Sequence, residues 1–190
     1  MEDRFLIHKC IKGDSQAQKR LYEQYAPAMM GICLRYVREK ETARDLMHDG
    51  FIALFTKIHT YSGSGSFRAW VKKIFVNTVL EYLRKKDIMR AGADIDEACY
   101  FEDTDISVIE RMSANELMEY IRKLPDSSRT VFNMYAIEGY SHAEIAQILN
   151  IRESTSRSQY TRARQALQKM IAPSGFQKNA DDADNTDFRR

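Results

Sequence analysis

Glycine and proline are scarce in this chain, 8 and 3 in 190 residues. That is too few for the many tight turns of a sandwich or barrel. No apolar run approaches the roughly 20 residues that span a bilayer; Phe51–Phe55 is cut off by Thr56 and Lys57. The opening Met1-Glu-Asp-Arg4 lacks the basic-then-apolar order of a signal peptide. Cysteine is limited to Cys10, Cys33 and Cys99, with no Cys-x-x-Cys pair and one odd thiol. A reducing cytoplasm suits that usage better than a disulfide scaffold does, and Cys10 and Cys33, on apolar faces, read as inert core thiols. His8, His48, His59 and His142 show no ligand spacing with the cysteines, and no His-Glu-x-x-His, Walker A or Gly-x-Ser-x-Gly pattern occurs. The Gly-x-Gly at Gly63–Gly65 lacks the preceding strand and third glycine of a phosphate loop. The expectation is a protein with no catalytic centre, no metal and no cofactor.

Charge is plentiful but nearly balanced, 29 Lys and Arg against 27 Asp and Glu. The distribution is more telling than the total. Residues 67–86 carry Arg68, Lys72, Lys73, Arg84, Lys85 and Lys86 against Glu81 alone. Residues 152–169 carry Arg152, Arg157, Arg162, Arg164 and Lys169 against Glu153 alone. Between them, residues 87–107 hold seven acids and one base, Arg90. Two surfaces that attract a polyanion are thus joined by a segment that avoids one.

Helical periodicity organises the chain into an all-α protein of two small domains. A short opening helix ends at the Gly13-Asp14 break. Ser15 is placed to cap the next helix, where Ala17, Leu21, Tyr25, Met29, Ile32 and Tyr36 recur at spacings of three and four. A third helix runs from about 41 to 58, and the clearest loop is Tyr61-Ser-Gly-Ser-Gly-Ser66. Ser66 stands as N-cap of a fourth helix bearing Phe67, Trp70, Val71, Ile74, Val79 and Leu83. The predicted boundaries are a helical domain at 1–86, a flexible acidic linker at 87–107, a second domain at 108–171 and a polar, disordered tail at 172–190. Helices at about 110–123, 127–137, 141–149 and 153–170 fill the second domain, with Pro125 and Gly139 between them.

The segment from Ser141 to Leu167 carries the most specific signal. Ile145, Ile148 and Leu149 form one apolar face, Asn150 follows where a left-handed residue fits, and a longer basic helix begins at Glu153 or Ser154. Short helix, tight turn and basic helix make a helix-turn-helix. In the second helix Tyr160, Ala163 and Leu167 line one stripe, while Ser154, Arg157, Ser158, Thr161 and Arg162 fall at i, i+3, i+4, i+7 and i+8 on another. Arginine can read guanine bidentately in the major groove, and Ser and Thr suit phosphate or base contacts. A solvated helix with scattered arginines explains that stripe less well than DNA binding does.

Residues 5–171 resemble the extracytoplasmic-function (ECF) group of bacterial RNA polymerase sigma factors. The resemblance rests on Asp45-Leu-Met-His-Asp-Gly-Phe51, Gly65-Ser-Phe-Arg-Ala-Trp-Val71, Asn77, Tyr82-Leu-Arg84, Leu124-Pro125, Gly139-Tyr-Ser-His-Ala-Glu-Ile-Ala146 and the segment Ser158–Arg164. It departs from the family at His48, where Gln is usual, at Ser156, where a core Val is common and packing softens, and at Gln159, where Arg is frequent and one phosphate contact is affected. The resemblance implies that Asp45, Leu46, Asp49, Phe51 and Leu54 dock on the clamp of the polymerase largest subunit. It implies that Tyr61, Ser64, Ser66, Arg68, Lys72, Lys73 and Asn77 open and read the −10 element. Ser154, Thr155, Arg157, Ser158, Thr161 and Arg162 would then read the −35 element. The acidic linker would thread the polymerase cleft, an anti-sigma factor would hold the protein inactive, and no part would enter a membrane. Phe67 and Trp70, on the apolar stripe, read as core rather than as stacking platforms.

A stand-alone helix-turn-helix regulator is the rival reading, but it leaves the basic loop-and-helix unit of residues 61–86 idle. A structural adaptor explains neither basic stripe.

Overall fold

The computed structural model describes residues 2–86 and 114–171, all the secondary structure of which is helical. Four helices come first: α1 (Glu2–Ile11), α2 (Ser15–Tyr36), α3 (Lys40–Lys57, continued by a single tight turn at Ile58–Thr60) and α4 (Phe67–Lys85). Four follow: α5 (Ala114–Lys123), α6 (Asp126–Phe132, running into a widened π turn at Asn133–Ile137), α7 (His142–Leu149) and α8 (Glu153–Ile171). The expected acidic linker, the expected tail and Cys99 lie outside the described residues.

Local chemistry sets the helix ends. Gly13 turns with φ of +79°, and the next residue, Asp14, caps α2 by accepting hydrogen bonds from the backbone N–H of Gln16 and Ala17 at 2.9 and 3.0 Å. The cap is therefore Asp14 rather than Ser15, because the turn leaves its short carboxylate facing the orphan amides. Ser66 occupies the N-cap position of α4 without a capping hydrogen bond from its side chain. The single helix expected over 127–137 instead starts at Asp126 and widens to a π turn at Asn133.

Helices α2, α3 and α4 wrap around a core of Leu21, Met29, Cys33, Leu54, Val71 and Phe75. Each such side chain contributes about 1.5–3 kcal/mol by leaving water. Cys10 and Cys33 are free and buried, and burial pushes the Cys33 thiol up to about 12, so neither carries a ready thiolate. Phe51 meets Phe75 edge-on at 5.0 Å and Tyr22 at 4.4 Å. The second half has a smaller core of Ile121, Leu124, Ala163 and Leu167. Its Val131, Met134, Ile145 and Leu149 belong to the same apolar cluster as the first four helices. The two halves are packed together.

At Gly50, α3 packs directly against the Phe75 ring of α4. A Cβ there would lie 2.4 Å from the Phe75 ring, whereas one on Gly31 of α2 would meet nothing within 4 Å. Gly50→Ala should therefore destabilise by about 1–3 kcal/mol through overpacking, and Gly31→Ala should stabilise by up to about 1 kcal/mol through helix propensity. Urea titrations of the two variants check this pair of opposite signs; equal effects would mean that α3 and α4 do not meet at Gly50.

Candidate nucleic-acid interface

The turn between α7 and α8 is built from its sequence upward. Ser141 Oγ accepts from the Glu144 backbone N–H at 3.2 Å, while Glu144 Oε2 accepts from the Ser141 backbone N–H and hydroxyl, both at 2.8 Å. This capping box fixes where α7 begins, and the same bonds hold the Glu144 carboxyl below its usual range. Asn150 then takes φ of 53° and ψ of 51°, the left-handed conformation expected at that position, and the Ile151 N–H returns to Ala146 O at 3.0 Å.

Helix α8 presents two faces. Ala163 and Leu167 are buried and Tyr160 is half-buried, as the spacing predicts. Ser154, Arg157 and Thr161 are exposed, with Thr155, Ser158 and Arg162 partly so. Arg157 is tethered along its own helix, Nη2 to Glu153 Oε1 at 2.5 Å, and its side chain remains 64% exposed. One residue behaves differently from expectation. Gln159, read as a position facing phosphate, is 2% exposed and accepts hydrogen bonds from Ser128 and Ser127 at 2.6 and 3.3 Å. It ties α8 to α6. Ser156, read as a softened core position, lies 2.9 Å from Nδ1 of His142. The His142 ring stacks on Tyr135 at 4.3 Å and meets Tyr160 edge-on. Burial, with the Arg157 charge second, holds that imidazole below its usual range, and its contact with Ser156 joins α7 to α8.

The Gly/Ser loop stands on an aromatic base. Tyr61 donates its hydroxyl to Gly65 O at 2.8 Å and packs on Phe67 and Trp70 at 5.1 and 5.4 Å. Phe67 is buried and Trp70 half-buried, as their stripe predicts. Ser64, Ser66, Arg68, Lys73 and Asn77 are exposed and Lys72 is half-buried. A cleft of about 450 Å³ lies between α2 and α4, floored by Met29 and Ile32 and rimmed by Arg35, Ser66, Arg68 and Lys72. Arg35 was not singled out by the sequence, since it stands on α2, away from either basic segment.

Helix α3 corrects the expected docking set. Leu46, Phe51 and Leu54 are 3%, 3% and 0% exposed; they belong to the core and cannot meet a partner. Asp45, His48 and Asp49 are exposed, and Ile52, three residues beyond Asp49, is 66% exposed. An apolar residue off the buried stripe was the available signal for Ile52.

Residues 21–88 match the family Sigma-70 region 2, and residues 114–167 match Sigma-70, region 4. The RNA polymerase sigma-H factor of Pseudomonas aeruginosa is 27% identical over 183 residues, covering 90% of this chain and 95% of that protein. The ECF RNA polymerase sigma-E factor of Haemophilus influenzae is 27% identical over 184 residues, covering 91% and 97%. A solved structure of the sigma factor RpoE with the anti-sigma factor NepR from Bartonella quintana is 18% identical, covering 80% and 95%, with a TM-score of 0.47. The two regions follow one another in the order of the two helical halves, and the curated relatives are matched nearly end to end. This chain belongs to the ECF group of RNA polymerase sigma factors, which are transcription initiation factors and not enzymes.

Proposed function

We propose that the two halves divide promoter recognition, with residues 1–86 engaging core RNA polymerase and the −10 element and residues 108–171 reading the −35 element. The exposed row Ser154, Arg157, Thr161 beside a correctly capped helix-turn-helix carries this reading. A helix whose polar stripe is solvent-facing, while its apolar stripe is held by α6, is positioned to enter a major groove. On α4 and the loop before it, Ser64, Ser66, Arg68, Lys72, Lys73 and Asn77 face the −10 strand, the lysines toward phosphates. Tyr61 braces the loop from beneath.

Core polymerase meets the outer face of α3, where Asp45, Asp49 and the exposed Ile52 follow one another along one stripe. Carboxylates around one apolar side chain suit a partner helix with basic residues, such as the clamp of the largest subunit. No described helix is long and apolar enough to cross a membrane, and a cytoplasmic setting fits this role. An anti-sigma factor would act by covering these faces. Transcription from a cognate promoter by purified core polymerase plus this chain tests the whole reading; a chain that binds promoter DNA tightly without polymerase would instead be a helix-turn-helix regulator.

Arg157→Ala should cost about 1–3 kcal/mol if the guanidinium is bidentate to a base, and should relax preference at one −35 position. Lys73→Ala should weaken binding whatever the sequence and lower the salt slope by about one. Competition binding of the reconstituted holoenzyme against single-base promoter variants separates the two patterns. Wild-type preference in Arg157→Ala would remove Arg157 from the reading set.

Asp49→Lys should keep its helical circular dichroism and shift stability by no more than about 0.5 kcal/mol, since the side chain is exposed. It should nonetheless lose core-polymerase binding, because a like-charge contact in an interface costs several kcal/mol. Ile52→Ser should do the same more mildly. Unchanged affinity in both variants would place the docking face elsewhere.

A further inference from the structure

Helix α8 opens with the one acid among its cations. Over residues 152–169 Glu153 stands against Arg152, Arg157, Arg162, Arg164 and Lys169, and it is the first residue of the helix. That end of a recognition helix is the part that reaches base edges in a major groove, where the phosphates on either side disfavour a carboxylate. The dipole of α8 favours an acid at this end, which accounts for its charge but not for its reach. The Glu153 side chain spans a full helical turn to take the Arg157 guanidinium, Nη2 to Oε1 at 2.5 Å. With the two side chains 46% and 64% exposed, such a pair adds little to stability. Its effect is on direction.

The backbone beneath the pair is fixed. Ser156, the residue before Arg157, donates its N–H to Arg152 O at 3.1 Å, and its hydroxyl lies 2.9 Å from the buried His142 ring of α7. Along the exposed row Ser154, Arg157, Thr161, the Thr161 hydroxyl donates back to Arg157 O at 3.1 Å, and Arg157 is the only cation. What this row reads is therefore set by where the Arg157 fork points. An arginine without a partner has large rotamer freedom and can swing to a phosphate, a contact that carries no sequence information. Held by Glu153, it spends one N–H on the carboxylate and keeps the others for a base edge. The carboxylate also repels an approaching phosphate far more than it repels the neutral O6 and N7 edge of guanine. Non-cognate binding is penalised more than cognate binding, and specificity is that difference.

We propose that Glu153 is a positioning residue for promoter specificity: its carboxylate aims the Arg157 fork into the major groove and bars it from the phosphates. This role rests on the reading of Arg157 as a −35 contact.

Holoenzyme reconstituted from core polymerase and the full chain, wild type or carrying Glu153→Gln, Glu153→Asp or Arg157→Ala, tests it. Two quantities are read: the affinity ratio between a promoter and its single-base −35 variants, and the salt slope on a promoter whose −35 element is scrambled. Glu153→Gln should lower the ratio about fivefold at the base pair where Arg157→Ala lowers it. It should also bind the scrambled promoter more tightly and steepen its salt slope by about one, as the freed guanidinium takes a phosphate. Glu153→Asp keeps the charge at the helix start but is one methylene short of Arg157. It should therefore hold the wild-type melting temperature and still lose discrimination. Adding Glu153→Gln to Arg157→Ala should change the ratio no further, since the one acts through the other. A Glu153→Gln holoenzyme that discriminates as wild type does, where Arg157→Ala does not, overturns the positioning role and leaves Arg157 as the reader. Discrimination lost in Glu153→Gln but kept in Glu153→Asp makes Glu153 a charge at a helix end and overturns the role as well. Wild-type discrimination in Arg157→Ala overturns both the role and the reading beneath it.

Discussion

The C-terminal end of α2 governs how the rest of the molecule is assembled. A helix finishing there leaves carbonyls with no partner in their own helix, and the second half supplies the donors. Arg129, 1% exposed, gives Tyr36 O two hydrogen bonds at 3.2 and 2.9 Å. It gives Arg122 O and Leu124 O one each at 3.2 and 2.9 Å, and Asp126 Oδ1 a fifth at 2.8 Å. All five guanidinium donors are used. Asn133 adds a bond to Arg35 O at 2.9 Å, and Arg38 reaches back to Leu124 O at 2.8 Å. A buried guanidinium is expensive to desolvate, and removing it would leave buried carbonyls unpaired, a loss of about 1–3 kcal/mol each. The α5–α6 turn and the end of α2 are consequently held as one unit.

That unit sets the attitude of α8. Arg129 fixes the start of α6, and Ser127 and Ser128, on the same turn, donate to Gln159 of α8. Orientation passes from α2 through α6 to α8 by hydrogen bonds rather than by apolar packing alone. Hydrogen bonds are directional, so they specify an angle where a greasy contact would permit several. The His142–Ser156 pair does the same between α7 and α8. Polar atoms in this core serve geometry.

The elements were legible because their apolar residues recur at the helical period: Ala17 to Tyr36 and Phe67 to Leu83 read as stripes before any coordinates exist. The helix-turn-helix was legible for the same reason, aided by Asn150. The contact surfaces were less so. Leu46, Phe51 and Leu54 sit beside Asp45 and Asp49 in sequence, but on a helix adjacent residues point 100° apart, and the three face inward. Gln159 is polar and was read outward, because a sequence does not show that Ser127 and Ser128 wait inside to satisfy it. Arg129 and Glu138 gave no signal at all. Their partners on α2, Tyr36 for Arg129 and Arg35 for Glu138, lie 93 and 103 positions away, and periodicity carries no information across that distance.

The interface they join is mixed: Val131, Met134, Ile145 and Leu149 share an apolar cluster with the first four helices, and Glu138 adds a charged seam beside it. A hydrophobic seam opens only when its buried area is exposed to water. The Glu138 carboxylate seated on Arg35 and Lys72 therefore adds direction to a seam whose area is apolar, since charge-assisted bonds are short and angle-dependent.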